Sequence, residues 1–571
     1  MTTGRIQRLL PFLRWPRSDA KTMVQDLLAG LAVSLLLIPQ SLAYAQLAGV
    51  PAYYGLYAAF IPSIVGVLFG SSALLSTGPV ALTSLLTAAS VGRLATQGTT
   101  EFITFVTLLS LLSGLFQIGL GLARAGVLLN LLSHPVLMGF INAAALVIGL
   151  SQLAALTGIA VSTSDSFMLD IWHLLARLQS VHPRSAAAGL LAVGLLLAFK
   201  RFMPRLPGVL FMVVILTVLS YATGFAQQGG AVVGAIPAGM PSISVPAMGL
   251  DAAMALLPAA FVVALVSFME AMSSAKVIAG KTRTRWDENQ ELIGQGLAKV
   301  VAAFCNAMPV SGSFSRSALN LASNARTGFS SLFAAGFVLL TLLFFTPLLY
   351  HLPKPALAAM ILMAVLNLID FSSLRNAWLA NRDDGIAAVL TFLATLAFAP
   401  NIQNGILAGI IFSLGAFIYR RMAPPIVLVG FHEDGSLRDA GVHKLPPLPE
   451  TIAAIRFDAA LFFANAAFFE DAVLRLEREN PRLKFILVDA HGINMIDASA
   501  VEMLRSLLRH LREVGITLVF SGAKRRVLEV VERTGLMQDI GTHNFFDSDA
   551  MALKALMAGI EAPAPSRTTE A

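Results

Sequence analysis

Long apolar blocks separated by short polar breaks fill the chain up to about Tyr419, and the pattern then changes. A membrane-spanning helix needs about 20 mostly apolar residues. Candidate spans fall at 24–38, 54–70, 79–95, 103–123, 135–157, 185–200 and 207–224, then at 253–276, 291–308, 315–325, 330–349, 354–370, 385–400 and 404–420. That reading predicts about fourteen crossings, although 79–95 and 315–325 are too short to cross alone as regular helices.

Past Met422 the periodicity alternates between two and 3.6. Strands are predicted at Thr451–Phe457, Phe485–Asp489 and Ile516–Ser521, and helices at Ala466–Arg478, Ala498–Val514 and Ala523–Thr534. This is the pattern of a small α/β domain. The expected division is a cytoplasmic N-terminal segment at 1–21, a transmembrane domain at 22–421, a linker at 422–445, the α/β domain at 446–560 and a disordered tail at 561–571. Residues 1–21 are basic and broken by Pro11 and Pro16, unlike a signal peptide.

Composition agrees with lipid as the main solvent: 56% of the 571 residues are hydrophobic and 13% are charged, against about 25% charged in a soluble domain. The net charge of +7 sits in short loops, which argues for membrane orientation and against nucleic acid. Basic clusters at Arg5, Arg8, Arg14, Arg17 and Lys21, at Lys200, Arg201 and Arg205, at Lys281, Arg283 and Arg285, at Arg375 and Arg382, and at Arg420 and Arg421 each follow an even number of crossings. Both termini are therefore expected on the cytoplasmic side. The single Cys305 excludes an intrachain disulfide. No H-E-x-x-H, paired CxxC, Walker A or G-x-S-x-G pattern is present, so neither a metal site nor catalytic residues are expected, and the chain reads as a non-enzyme.

Two interrupted segments, Ser76–Val80 and Val310–Ser317, each place a Gly/Ser stretch before a helix start. The first follows the Pro39-Gln40 break and the second follows Glu270, at nearly equal offsets: 270 − 40 = 230 and 312 − 78 = 234. Paired interruptions of this kind point to an inverted-repeat transporter. Seven spans per half, an odd number, give the halves opposite topology. A helix N-terminus offers free N–H groups and about half a positive charge, so two facing ends form an anion cradle. Ser311, Ser313 and Ser315 add hydroxyl donors, and Pro79 is placed at the first helical position, where its missing N–H is harmless. Arg316 falls in the first turn of the second short helix, as a cation beside the anion or as a helix-end arginine reaching the interface. Glu270, deep in an apolar run, has to be protonated or paired, which makes it a coupling site for H⁺ or Na⁺ or a structural ion-pair partner. Gln40 and Tyr44, one turn apart across the break, are placed to hydrogen-bond an anion, with plain helix packing the alternative for Tyr44.

At these motifs the chain resembles the sulfate permease (SulP) family. The resemblance rests on Ile38–Ala45 with Tyr54–Tyr57, Ser76–Ala81, Leu132–Phe140, Asn289–Leu292 and Gly312–Ser317. The tail is similar to a STAS domain through Asp489 and Ile496–Ser499. The resemblance implies seven plus seven inverted spans divided into a mobile core and a dimer-facing gate, elevator-like movement, and a homodimer in a bacterial inner membrane. It places Gln40, Tyr44, Val80, Ser315 and Arg316 on the anion site and Glu270 at the coupling position. Two departures stand out: Lys299 where relatives commonly carry Asn, and Ala500 in place of a glycine. Ser499 matches a serine that is phosphorylated in anti-sigma antagonists; its simpler reading is a helix N-terminal hydroxyl beside Asp497. The leading expectation is proton-coupled uptake of an inorganic oxyanion, sulfate first. Sodium-coupled bicarbonate uptake, dicarboxylate uptake, a membrane-tethered anion sensor and an anion channel are the alternatives. The expected partners are a small anion and the lipid bilayer, with no cofactor beyond the coupling ion.

Overall fold

The computed structural model describes residues 10–16, 19–126, 133–159, 166–203, 206–246, 249–432 and 436–561. Arg5, Arg8, Arg17, Arg205, Leu132 and all but the first residue of the proposed tail lie outside them. Contacts divide the chain into two units, Met1–Ser413 and Leu414–Ala571.

In the first unit a single turn at Pro11–Arg14 precedes α1 (Ala20–Leu47), the pair α2 (Tyr53–Ala59) and α3 (Ile61–Phe69), strand β1 (Thr77–Gly78), α4 (Ala81–Val91) and α5 (Thr100–Leu122). Next come α6 (His134–Thr157), α7 (Phe167–Ala176), α8 (Pro183–Phe202) and α9 (Gly208–Ala222). The order then repeats: α10 (Leu250–Thr282), α11 (Glu288–Phe304), β2 (Ser311–Gly312), α12 (Phe314–Ala322) and α13 (Phe329–Leu349). The unit closes with α14 (Lys354–Leu366), α15 (Phe371–Ala380), α16 (Arg382–Phe398) and α17 (Gln403–Met422), the last running across the unit boundary.

Among the described residues, eight helices are long and apolar enough to cross a membrane. The expected span 54–70 is split at Phe60, where Pro62 has no N–H to continue the ladder. The expected spans 79–95 and 315–325 are helices of 11 and 9 residues. At 1.5 Å per residue these reach only roughly 16 and 13 Å, about half a hydrocarbon core.

The helices form two packed groups. In one, α5 lies against α10 and α11, α11 against α3, and α1 against α12 and α13; in the other, α6 packs on α14 and α16, and α8 on α14. The α5–α11 contact is close because it runs through glycine: a Cβ on Gly114 would sit 2.7 Å from the Gly296 carbonyl oxygen.

The second unit holds a six-stranded sheet of order β4-β3-β5-β6-β7-β8, made of β3 (Ile426–Phe431), β4 (Leu437–Asp439), β5 (Ile452–Phe457), β6 (Phe485–Asp489), β7 (Thr517–Ser521) and β8 (Phe545–Phe546). The β5-β6-β7-β8 run is parallel, and β3 pairs antiparallel with both β4 and β5. Successive side chains of a strand point to opposite faces, and the cores follow that rule. Ile455, Phe457, Ile486, Val488, Leu518 and Phe520 enter one core with α18 (Ala466–Glu479), α19 (Ala498–Glu513), α20 (Arg525–Arg533) and α21 (Leu536–Ile540). Ile452, Ala454, Leu487 and Val519 enter a second core with α22 (Asp549–Glu561). The stretch read as a linker, 422–445, instead contributes β3 and β4 to this sheet. Its apolar Ile426–Phe431 follows the basic end of α17 and two prolines, which hid a strand behind an apparent span end.

Candidate functional site

β1 and β2 cross as a two-stranded antiparallel ladder, Thr77 opposite Gly312 and Gly78 opposite Ser311. Each strand runs within three residues into a short helix, so the two interruptions read from the sequence meet in space. The Ser76 carbonyl accepts the Ser313 N–H at 2.8 Å, and the Ser76 N–H donates to Ser317 Oγ at 2.8 Å. Ser63 Oγ donates to the Thr77 carbonyl at 2.8 Å. These bonds hold two helix N-termini in one fixed place.

The two ends are finished differently. Helix α12 carries Ser313 as its N-cap, whose Oγ accepts the Arg316 N–H at 3.4 Å. Helix α4 has Val80 at the N-cap, extended and without a side-chain acceptor, so its first-turn N–H groups stay uncapped. Pro79 lies one residue before that cap rather than at the first helical position. Its role is to accept Arg316 Nη1 at 2.8 Å through its carbonyl oxygen.

Arg316 is 1% exposed. Its guanidinium donates Nη1 to Gln40 Oε1 at 3.5 Å and Nε to Ser76 Oγ at 3.4 Å, while Nη2 has no partner. A Cβ on Gly78 would stand 3.2 Å from Nη2, so the glycine leaves the room this group occupies. All of its partners are neutral. A buried cation hydrogen-bonded only to neutral groups is costly, and an unmade bond to a charged donor adds about 1–3 kcal/mol. Two helix ends of about half a charge each add to the same positive field.

Gln40, Tyr44, Val80, Ala81, Glu270, Ser313, Phe314 and Ser315 share one cavity of about 600 Å³. Its opposite wall comes from α8, α9 and α14, through Phe199, Lys200, Val209 and Met360. The site therefore lies at the seam between the two helix groups, and it extends to Lys200 at the basic end of α8. Tyr44 is 7% exposed. Glu270 is half-buried, its Oε2 buried without a hydrogen-bond partner. Arg316 and Lys299 both lie within electrostatic reach of it.

Lys299 is fully buried, and its Nζ donates to Gln117 Oε1 at 2.9 Å. Gln117 Nε2 donates in turn to the Ala264 carbonyl at 2.7 Å and to Ser267 Oγ at 3.0 Å, one turn before Glu270. Ser311 Oγ donates to the Ser267 carbonyl at 2.6 Å, tying this network to β2. Sequence reasoning missed Gln117 and, although it named the Ser76–Val80 segment, the bond of Ser76 to Arg316, since neutral partners leave no mark on an apolar pattern. It also passed over Glu291, fully buried between Ser72 N at 2.9 Å and Gln295 Nε2 at 3.0 Å, which anchors the loop leading to β1. Ser499 is not among the residues lining this cavity; it is exposed in the first turn of α19 in the second unit. The N-cap there is Asp497, which takes the Ala500 N–H at 2.9 Å and the Phe463 N–H at 2.9 Å.

Residues 23–391 match the sulfate permease family, and residues 447–552 match the STAS domain. The chain belongs to the sulfate permease family. A relative, sulfate transporter 4.1, chloroplastic, of Arabidopsis thaliana, is 33% identical over 95% of this chain and 81% of the plant protein. The murine anion transporter Slc26a9, solved in an inward-facing state, superposes with TM-score 0.90 at 21% identity, over 97% of this chain and 95% of that one. The transmembrane domain of the cyanobacterial bicarbonate transporter BicA gives TM-score 0.58 at 22% identity, over 70% of this chain and 99% of that one. The chain is thus a multi-pass membrane protein of a sulfate transporter family with a C-terminal STAS domain, and its relatives are named as transporters, a family that is not enzymatic.

Proposed function

We propose that this chain is a secondary active symporter that takes up an inorganic oxyanion, sulfate foremost, with protons, by elevator-type alternating access. The observation that carries the reading is Arg316: buried, bonded only to neutral groups and left with an open Nη2 beside two helix N-termini. An oxyanion supplies the missing charge and acceptors. With Nε and Nη1 already engaged, the charged Nη2 is the donor left for an oxyanion oxygen. The sulfate preference is supported by the name of the plant relative.

Glu270 supplies the coupling. Ionised, it cancels part of the positive field that Arg316 and the helix ends provide; protonated, it lets the anion bind. Anion and proton then bind with positive coupling, and each strengthens the other by the same factor. A proton needs no ligand besides Glu270, whereas Na⁺ needs several oxygens, and among the described residues no second carboxylate lines the cavity. The position of the cavity at the seam supports movement of the α1/α5/α10–α13 group, with its anion, past the α6/α8/α14/α16 group. Basic last turns on α8, α10 and α17 support an inner (plasma) membrane orientation with both termini cytoplasmic. Exposed apolar residues on α15–α17, among them Trp378, Leu393, Ile411 and Tyr419, suit lipid or a second copy in a homodimer.

Purified protein in liposomes, given a panel of labelled anions under imposed pH or Na⁺ gradients, tests the reading. Sulfate accumulation driven by an inward proton gradient is the expected result. Accumulation of bicarbonate driven by Na⁺, or of dicarboxylate in preference to sulfate, would replace it. Binding without accumulation would indicate a sensor, and flux that only runs downhill a channel.

A further inference from the structure

A second cavity, of about 1510 Å³, shares no lining residue with the anion site. It is walled by helix ends of the first unit: the starts of α1 and α11, the ends of α5, α10 and α12, and the turn at Pro11–Arg14. Six basic side chains from five separate segments line it: Arg14, Lys21, Arg124, Lys281, Arg285 and Arg326. All six are exposed, and among the described residues none is paired with a carboxylate. One acidic residue, Asp287, shares the lining, and its Oδ1 already accepts the N–H groups of Asn289 and Gln290 at 3.0 and 3.1 Å.

Cations at helix C-termini commonly offset the helix dipole. Here one carbonyl at each of three helix ends already has a backbone partner: Ala123 N–H reaches the Gly119 carbonyl, Arg283 N–H the Ala279 carbonyl, and Ser323 N–H the Leu319 carbonyl. Among the described residues none of the six side chains donates to a helix-end carbonyl, so their donors are free for another acceptor. Read along the sequence, Lys281–Arg285 is an orientation-setting loop; the fold gathers it with Arg124 and Arg326, which are remote in sequence, around one hollow. Converging donors of one sign in a concavity focus their field on whatever enters it. A basic hollow between helix ends on the side of the positive clusters is the kind of site that takes a phosphorylated headgroup.

We propose that this cavity binds a phosphate-bearing anion, either the phosphodiester headgroup of an anionic lipid or a soluble phosphate. It is separate from the transported anion's site. Several convergent Lys and Arg groups, rather than one guanidinium, suit a ligand with several oxygens, and binding weakens as salt screens it.

The test uses the full chain in nanodiscs of phosphatidylcholine, alone or with a minority of phosphatidylglycerol, and a titration of pyrophosphate in the first. Trp15 and Trp286 line the cavity, so tryptophan fluorescence reports occupancy, with the thermal midpoint as the second reading. The triple variant K281Q/R285Q/R326Q is compared with R201Q/R375Q/R382Q, which removes equal charge elsewhere; R285Q alone, on an exposed loop, is read in case the triple variant does not fold. A rise of several degrees with phosphatidylglycerol, lost by more than half in the cavity variant and kept in the control, assigns the site to lipid. A saturable pyrophosphate signal with the same variant pattern assigns it to a soluble phosphate. Equal loss in both triple variants, an unchanged response in the cavity variants, or no response in either arm overturns the proposal.

Discussion

Two fully buried cations lie in the same helix group, Arg316 at the start of α12 and Lys299 within α11, and they are finished in opposite ways. Lys299 donates to Gln117, which is itself held by Ser267 and the Ala264 carbonyl. Arg316 keeps one nitrogen without an acceptor; its side chain is not among the cavity's lining residues, but it bonds Gln40 and Pro79 beside the two helix starts that do line it. Burial of charge alone does not mark a binding group; a charged donor left without a partner beside two helix starts does. The same contrast separates α12, capped by Ser313, from α4, whose Val80 leaves its donors open.

The contrast breaks most sharply at Arg316→Ala. Losing the partner of a buried charge pair costs about 2–5 kcal/mol, a factor of about 30 to several thousand in affinity. Saturable uptake should fall to background while membrane insertion and the thermal midpoint stay near wild type. Unchanged uptake kinetics would remove Arg316 from the site.

Lys299→Gln should do far less to transport. Glutamine keeps a donor for Gln117, and Lys299 is not among the cavity's lining residues, so at most a loss of about 1 kcal/mol, about a fivefold change in KM, is expected. An Arg316-like loss would make the two cations equivalent and undo the comparison.

Val80→Ser sharpens the comparison of the two helix ends. A serine there supplies the cap that α4 lacks, worth about 0.5–2 kcal/mol of helix stability. The thermal midpoint should rise slightly while KM for the anion rises a few-fold, because the hydroxyl occupies an N–H the anion would use. Tighter anion binding would show that the α4 end is not part of the cradle.

What the sequence made legible follows from the same physics. Glu270 and Arg316 stood out because charges in apolar runs are rare. The two interruptions stood out because Gly, Ser and Pro break an otherwise helical pattern, and β1 and β2 do pair there. Strands β5, β6 and β7 were plain as short, nearly continuous apolar runs because both faces of that sheet are buried by helices. Gln117 could not be paired with Lys299 from the chain alone, since 182 positions and a helix crossing separate them. Asp26 escaped notice for a related reason. It is fully buried in α1 and accepts the N–H groups of Arg326 at 2.6 Å and Thr327 at 3.2 Å, holding the turn before α13. Strands β3 and β4 were hidden because Ile426–Phe431 continues the apolar character of α17, and only pairing with β5 tells strand from span end. A truncation that begins at 446 therefore leaves both strands without β5, and a cut after Met422 is the cleaner one.

The account rests on Glu270 carrying the proton that makes anion uptake uphill, and Glu270→Gln in liposomes asks that directly. Glutamine keeps the size of the acid and holds the neutral state permanently. Exchange of labelled for unlabelled anion should survive and lose its pH dependence, because the loaded carrier still crosses. Accumulation against a gradient, driven by an imposed pH difference, should fail, because no proton is released inside. Full proton-driven accumulation in that variant would contradict the coupling role and leave Glu270 as a structural neighbour of Arg316 and Lys299.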